Sequence, residues 1–152
     1  MEIQRVTNKG QIVSLLYQFE CVFPHLHEKV QNYDEYAEKL AKHAVIGIMK
    51  DKQDTCGLIV FYANDIQNLT AFISLIGVLP AWQGKHLGQQ LLEYSISEAI
   101  SAGMQSLRLE VDLDNQRAIA FYERCGFDYS GTCTPTSIYM EKTLLVNSDS
   151  FY

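Results

Sequence analysis

Positive charge is scarce in this chain. Lys and Arg total 12 against 18 Asp and Glu, a formal net charge of −6. A surface that tracks phosphates needs clustered cations, so no nucleic-acid partner is expected; a cationic small molecule is compatible with the balance. Cysteine is also sparse. Cys21, Cys56, Cys125 and Cys133 form no C-x-x-C pair, and no His-x-x-x-His spacing accompanies them. We therefore expect no metal site, and reduced thiols in a reducing compartment. No apolar run approaches membrane length, and the start, Met1 to Lys9, is too polar for a signal peptide. The expectation is a soluble cytoplasmic protein with no membrane partner. Repeats and low-complexity tracts are missing. So are G-x-x-x-x-G-K-[ST] and G-x-G-x-x-G, which excludes a P-loop and a dinucleotide fingerprint.

What is present is a chain of 152 residues, 47% apolar, enough for one domain with a real core. We place that domain at residues 1–145 and a patternless C-terminal tail at 146–152. The stretch Phe72–Leu92, FISLIGVLPAWQGKHLGQQLL, organises the rest. It reads as a β-prone run, a turn with Pro80, Trp82 and Gly84, and a helix from His86 to about Ala102 with Leu87, Leu91, Ser95 or Ile96, and Ala99 inward. Gly103 is its stop signal.

Before this stretch, Glu2 to Val6 alternates as a strand, and Thr7 or Asn8 caps a helix carrying Ile12, Leu15, Leu16, Phe19 and Val22, which ends near Pro24. A second helix is predicted from about Asp34 to His43, with Tyr36, Ala37, Leu40 and Ala41 inward. Ala44–Lys50, Cys56–Ala63 and Leu69–Val78 then form a meander. After it, Ser106–Leu113 alternates, with Leu107, Leu109, Val111 and Leu113 on one side and Arg108, Glu110 and Asp112 on the other. Asn115–Cys125 is a helix stopped by Gly126. Phe127–Gly131 and Ser137–Thr143 are strands around a Thr/Pro loop. The order β-α-α-β-β-β-α-β-α-β-β predicts an α/β (α+β) fold: a mixed, mostly antiparallel central sheet of about seven strands with helices on both faces. The helical crossover makes the strands at 69–78 and 106–113 parallel neighbours, and a cleft beside a helix N-terminus is a natural ligand site.

Two motifs carry chemistry. Amides around Gly84 to Gln89 open a helix, lack intrahelical acceptors and sit at its positive end, with Lys85 adding a full charge. They suit a pyrophosphate, although a plain αβ loop has the same look. The second motif is N-x-x-A-I-x-F-Y-E-R-x-G-F at Asn115–Phe127. Asn115 and Tyr122 are separated by about 700° of helix and fall on one face; an N-cap Asn and a core Tyr would look alike in isolation.

Together, Q-G-K-H-L-G at Gln83–Gly88, preceded by Ile76 to Pro80 and followed by Asn115–Phe127, resemble the GNAT superfamily of acyl-CoA-dependent N-acetyltransferases over nearly the whole chain. L-E-V at Leu109–Val111 resembles the branch that acetylates protein N-terminal amines and its small-amine relatives. The resemblance implies the GNAT fold, with a splayed parallel strand pair forming the CoA cleft. It implies acetyl-CoA as cosubstrate, an amine acceptor as partner, and a homodimer in keeping with the family. Ile76, Gly77 and Val78 correspond to main chain along the pantetheine arm, and an amide near Val78 to a donor on the thioester carbonyl. Gln83, Gly84, Lys85, His86, Leu87, Gly88 and Gln89 correspond to the pyrophosphate turn. Asn115 corresponds to a side chain near the pantetheine end, Tyr122 to the hydroxyl facing the thioester sulfur, and Glu110 to a general base. One departure stands out: His86 occupies a position where the family pattern has Gly or Ala, and a left-handed backbone there costs a side chain on the order of 1 kcal/mol.

The reaction so implied is direct acyl transfer to a primary amine, Glu110 taking a proton and Tyr122 giving one. A covalent route through Cys125 is disfavoured, because the negative end of a helix dipole opposes a thiolate. The acceptor pocket is expected from Tyr17 to Tyr36, with Phe23, His25, His27, Tyr33 and Tyr36 as candidates. A non-catalytic acyl-CoA sensor on the same fold is the alternative.

Overall fold

The structure, a computed structural model, describes residues 1–144; the predicted tail at 146–152 lies outside the described residues. Its strands are β1 (Glu2–Arg5), β2 (Val45–Asp51), β3 (Asp54–Tyr62), β4 (Thr70–Val78), β5 (Ser106–Asp112), β6 (Asp128–Thr134) and β7 (Ser137–Thr143). Its α-helices are α1 (Lys9–Gln18), α2 (Leu26–Lys29), α3 (Tyr33–His43), α4 (Leu87–Ser101) and α5 (Gln116–Arg124). The strands form one sheet in the order β1-β2-β3-β4-β5-β7-β6. β1–β2, β2–β3, β5–β7 and β6–β7 are antiparallel, and β4–β5 is parallel. The mixed sheet, its strand count and its parallel pair are as expected.

The chain divides into two compact units, one of Met1–Tyr62 with Leu75–Tyr94, the other of Ala63–Ser74 with the chain from Ser95 onward. In the first, Ile12, Leu15, Leu16 and Phe19 pack with Tyr33, Ala37 and Leu40 and with Ile46, Ile48, Leu58 and Val60. The helical stripe thus meets the inward face of the meander. Asn8 caps α1 by accepting from the Gln11 amide, and Asn32 caps α3 by accepting from the Glu35 amide. The stripe through Val22 is not one helix: α1 ends at Gln18 and Glu20–Val22 is a separate 3-10 turn. Tyr36 is only partly buried, and Tyr33 takes the inward aromatic place.

In the second unit, the β4–β5 ladder runs from Thr70↔Ser106 to Ile73↔Leu109, whereas β5 pairs with β7 along its whole length, from Ser106↔Thr143 to Asp112↔Ser137. Leu107, Leu109 and Val111 are buried as the alternation requires. Leu113 is not: it lies beyond the strand and is 44% exposed. Its carbonyl accepts from the Gln116 side chain and its amide donates to Thr136, so it belongs to the turn. β6 runs on to Thr134, which shrinks the expected Thr/Pro loop to Pro135 and Thr136. Leu144, the last described residue, is buried, and its amide donates to the Gln105 carbonyl at 2.9 Å.

Candidate active site

The turn after β4 is built by local constraints. Leu79 donates its amide to the Cys56 carbonyl at 2.9 Å, and Pro80–Trp82 makes one 3-10 turn. The Gln83 side chain reaches back to donate to the Val78 carbonyl at 2.9 Å. Gly84 and His86 then take left-handed backbones, φ 83° and 63°, immediately before α4. Two such residues turn the chain sharply into the helix. The first bond of the helix runs from the Gln90 amide to the His86 carbonyl at 3.3 Å, so helix geometry leaves the amides of Leu87, Gly88 and Gln89 without an intrahelical acceptor. Lys85, exposed, holds its ammonium 5.0 Å from the centre of the Trp82 ring. On β4 itself, Gly77 has no side chain to keep Val22 and Phe23 away, and both pack onto it. Ile76, Gly77 and Val78 are only partly buried. Of the helix face, Leu87, Leu91, Ser95 and Ala99 are buried, and Ile96 is not.

The segment from Tyr17 to Tyr36, in the same unit as this turn, holds a polar cluster. The Glu20 carboxylate accepts from the Tyr33 hydroxyl at 2.7 Å and pairs with His27 through the same oxygen, Oε2. His27 stacks on Tyr33 with ring centres 5.5 Å apart, and Tyr17, 58% exposed, meets the Tyr33 ring at a tilt with centres 4.8 Å apart. Burial, then the bond to Glu20, holds the Tyr33 phenol above the ordinary tyrosine range. His25 instead meets Glu28 at 3.1 Å, and Phe23 stacks on Phe19 at 6.3 Å. Tyr36 packs against the core.

In the other unit, the N-x-x-A-I-x-F-Y-E-R-x-G-F motif becomes α5 with both ends secured. Asn115 caps it, its Oδ1 accepting from the Ala118 amide at 3.2 Å. At the far end Gly126 is left-handed, φ 94°, and the Phe127 amide donates to the Tyr122 carbonyl at 2.9 Å. The Phe127 and Tyr122 rings meet at 5.8 Å, the apolar contact that accompanies this type of helix stop. Tyr122 is therefore fixed by its own carbonyl and by its ring. Its surroundings, Phe121 and Phe127, are apolar, and burial pushes the phenol up to about 12. The hydroxyl is a proton donor throughout the neutral range.

Glu110 lies on the polar side of β5, directly opposite Tyr139 of β7. Its Oε2 accepts from the hydroxyl of Ser137, a residue 1% exposed, at 2.6 Å. Arg108 on the same side does not turn to Glu110. Its guanidinium lies 3.9 Å from the Tyr139 ring centre, donates to the Ser130 carbonyl at 3.0 Å, and brings Nε to Glu141 at 3.3 Å, an ionic contact without hydrogen-bond geometry. Tyr139 is held above the usual tyrosine range, first by a hydrogen bond with the Cys133 thiol. Glu110 and Arg108 are half-buried rather than solvated. Ser137 and Glu20 carried no sequence signal: each acquires its role through a residue far along the chain, 27 positions away for Ser137 and 13 for Glu20.

No helix of the described residues is long and apolar enough to cross a membrane, and no cluster of metal-binding side chains occurs among them. A model of the acetyltransferase (GNAT) family matches residues 11–127. The [ribosomal protein bS18]-alanine N-acetyltransferase of Salmonella typhimurium is 45% identical over 53 residues, 35% of this chain and 36% of that protein. The curated relatives are matched over only part of their length, 39% and 16% for two of them. Among solved structures, the ribosomal-protein-S18-alanine N-acetyltransferase from Escherichia coli superimposes with a TM-score of 0.75 at 21% identity, covering 99% of each chain. A GNAT family acetyltransferase from Elizabethkingia anophelis with acetyl-CoA bound gives 0.63 at 20% identity over 72% of this chain and 82% of that one. With the family model spanning most of the sequence, from α1 to the residue that closes α5, the chain belongs to the GNAT acetyltransferase family.

Proposed function

We propose that this protein is an N-acetyltransferase that moves an acetyl group from acetyl-CoA to a primary amine by direct attack. The observation that carries the reading is the turn Gln83–Gln89. Its left-handed Gly84 and His86 present the first amides of α4 and the Lys85 charge as an anion site. These residues suit a pyrophosphate, with Ile76, Gly77 and Val78 offering main chain to the pantetheine arm. Acetyl-CoA brings an acyl group already activated as a thioester.

In this proposal Glu110 takes one proton from the acceptor ammonium, whose ordinary pKa is about 10.4 if lysine-like. The neutral nitrogen attacks the acyl carbon; the C–N bond forms as the C–S bond breaks. Tyr122 protonates the sulfur, and the second proton shed by nitrogen restores the phenol. An amide near Val78 steadies the carbonyl oxygen. Asn115, whose Oδ1 is engaged as the helix cap, contributes through its amide group near the pantetheine end. The acceptor is gripped by the segment containing Tyr17, Glu20, His27 and Tyr33, an arrangement of carboxylate and aromatic rings suited to an amine. The same reading takes residues 1–145 as a single catalytic domain of a cytoplasmic, dimeric protein.

Release of CoA thiol from acetyl-CoA, measured across a panel of peptide N-termini, polyamines, lysine derivatives and amino sugars, tests it. Turnover with one class supports the proposal. A thermal shift with CoA but no turnover on any amine would make the protein an acyl-CoA sensor instead.

A further inference from the structure

We propose that Ser137 is a positioning residue for Glu110, fixing which carboxylate oxygen is left to meet the acceptor amine. This rests on the reading of Glu110 as general base. Ser137 opens β7 and pairs with Asp112 across the ladder, so its side chain stands on the same side of the sheet as Glu110. From there it donates to Glu110 Oε2 at 2.6 Å. A hydroxyl has one proton to give, so with that proton committed, its 2.7 Å contact with Thr134 Oγ1 must be one in which Thr134 donates. Thr134 in turn accepts from the Thr136 amide at 3.2 Å. The chain of donors therefore has one direction: Thr136, Thr134, Ser137, Glu110.

Two of the groups on the same side as Glu110 are engaged elsewhere; Asp112, opposite Ser137, stands on that side too. Tyr139, opposite Glu110, is bonded to Cys133, and Arg108 is held by Glu141, Ser130 and the Tyr139 ring. Ser137 is thus the neighbour that ties the carboxylate. With Oε2 tied, the side chain cannot rotate freely, and Oε1 is the oxygen left for the proton of the amine. Ser137 is almost fully buried, which shields this bond from competition by water.

The test uses the full chain with its best acceptor, comparing Ser137→Ala, Thr134→Val, Glu110→Gln and the Ser137→Ala/Glu110→Gln pair. Ser137→Ala is expected to lower kcat about tenfold at neutral pH, with KM for the acceptor within about twofold. The KM for acetyl-CoA should stay unchanged. Thr134→Val, at an exposed position and close in shape, should lower kcat the same way by less. The double variant should be no slower than Glu110→Gln alone. A rise in KM with kcat unchanged, or losses that multiply in the double variant, would reduce Ser137 to packing and overturn the inference. Should Ser137→Ala fail to fold, Thr134→Val decides: an unchanged kcat overturns the inference. If Glu110→Gln by itself keeps full kcat, the base assignment falls and takes the inference with it, an outcome read from that variant alone.

Discussion

Phe23 occupies the space that a side chain at Gly77 would fill. A Cβ there would lie 3.0 Å from two atoms of the Phe23 ring and 3.0 Å from Val22 Cγ2. The 3-10 turn at Glu20–Val22 thereby rests directly on β4. Gly77→Ala must push both side chains away, which costs about 1–2 kcal/mol, less the few tenths returned by a stiffer unfolded chain. Urea unfolding should register that loss, and Phe23→Leu should recover part of it in the double variant. Purely additive effects would mean that the ring is not what Gly77 accommodates.

His86 is left-handed where its family pattern has a small residue. The side chain costs about 1–2 kcal/mol in that backbone, and glycine returns about 0.5–1 kcal/mol of that in unfolded-chain entropy. His86→Gly is therefore expected to be about 0.5–1 kcal/mol more stable, seen as a Tm a few degrees higher. Calorimetric titration should find acetyl-CoA bound at least as tightly. Weaker binding would mean that the imidazole itself meets the ligand.

Tyr122 should matter to turnover far more than to binding. Tyr122→Phe is expected to cut kcat by about 100-fold, within the usual range for a lost acid, with acetyl-CoA affinity within about twofold. Because its phenol sits at about 12, no alkaline limb from Tyr122 should enter the rate profile below about pH 10. The stability signature has the opposite emphasis. The unfolded phenol ionises near its ordinary value of 10 while the folded one stays neutral, so stability falls as pH rises from about 10 toward 12. Tyr122→Phe should flatten part of that fall in equilibrium unfolding. Tyr33 and Tyr62, raised by burial, and Tyr139, raised first by its bond with Cys133, contribute to what is left.

Tyr33→Phe removes the hydroxyl on Glu20 while keeping the ring stacks with His27 and Tyr17. A lost bond to a charged group costs about 1.5–3 kcal/mol at most, less at a half-exposed carboxylate. If this segment grips the acceptor, KM for the amine should rise several-fold while KM for acetyl-CoA holds. Equal changes in both would remove the cluster from acceptor recognition.

The readable parts of this chain were those whose physics is local. Leu107, Leu109 and Val111 alternate because β5 has one apolar side, and Asn115, Gly126 and Phe127 mark the ends of α5 because capping is a matter of adjacent residues. Gly103, left-handed with the Met104 amide bonded to the Ala99 carbonyl, ended α4 where expected. Leu69 is left-handed too, so β4 starts one residue later than its apolar run implies. α2, four residues long, is too short for a period. β6 extends through Thr132 and Thr134, polar residues on a strand that, among the described residues, pairs with β7 alone, where no buried face enforces alternation. Of the candidate site, the local form was legible: the turn before α4, the strand that carries Glu110 and the helix that carries Tyr122. The tie from Ser137 and the Glu20 cluster were not, because each is closed by tertiary contact.

Cys21 lies exposed on the 3-10 turn between Glu20 and Val22, while Cys56 is sealed in the interior with its thiol on the Met49 carbonyl at 3.2 Å. A thiol-directed fluorophore will therefore discriminate between them, once Cys125 and Cys133 are replaced by serine. The dye would stand beside the cluster assigned to the acceptor and away from Glu110 and Tyr122 in sequence. Emission could then follow the arrival of the two substrates in real time, giving their order of addition from a native reporter position rather than from an engineered one.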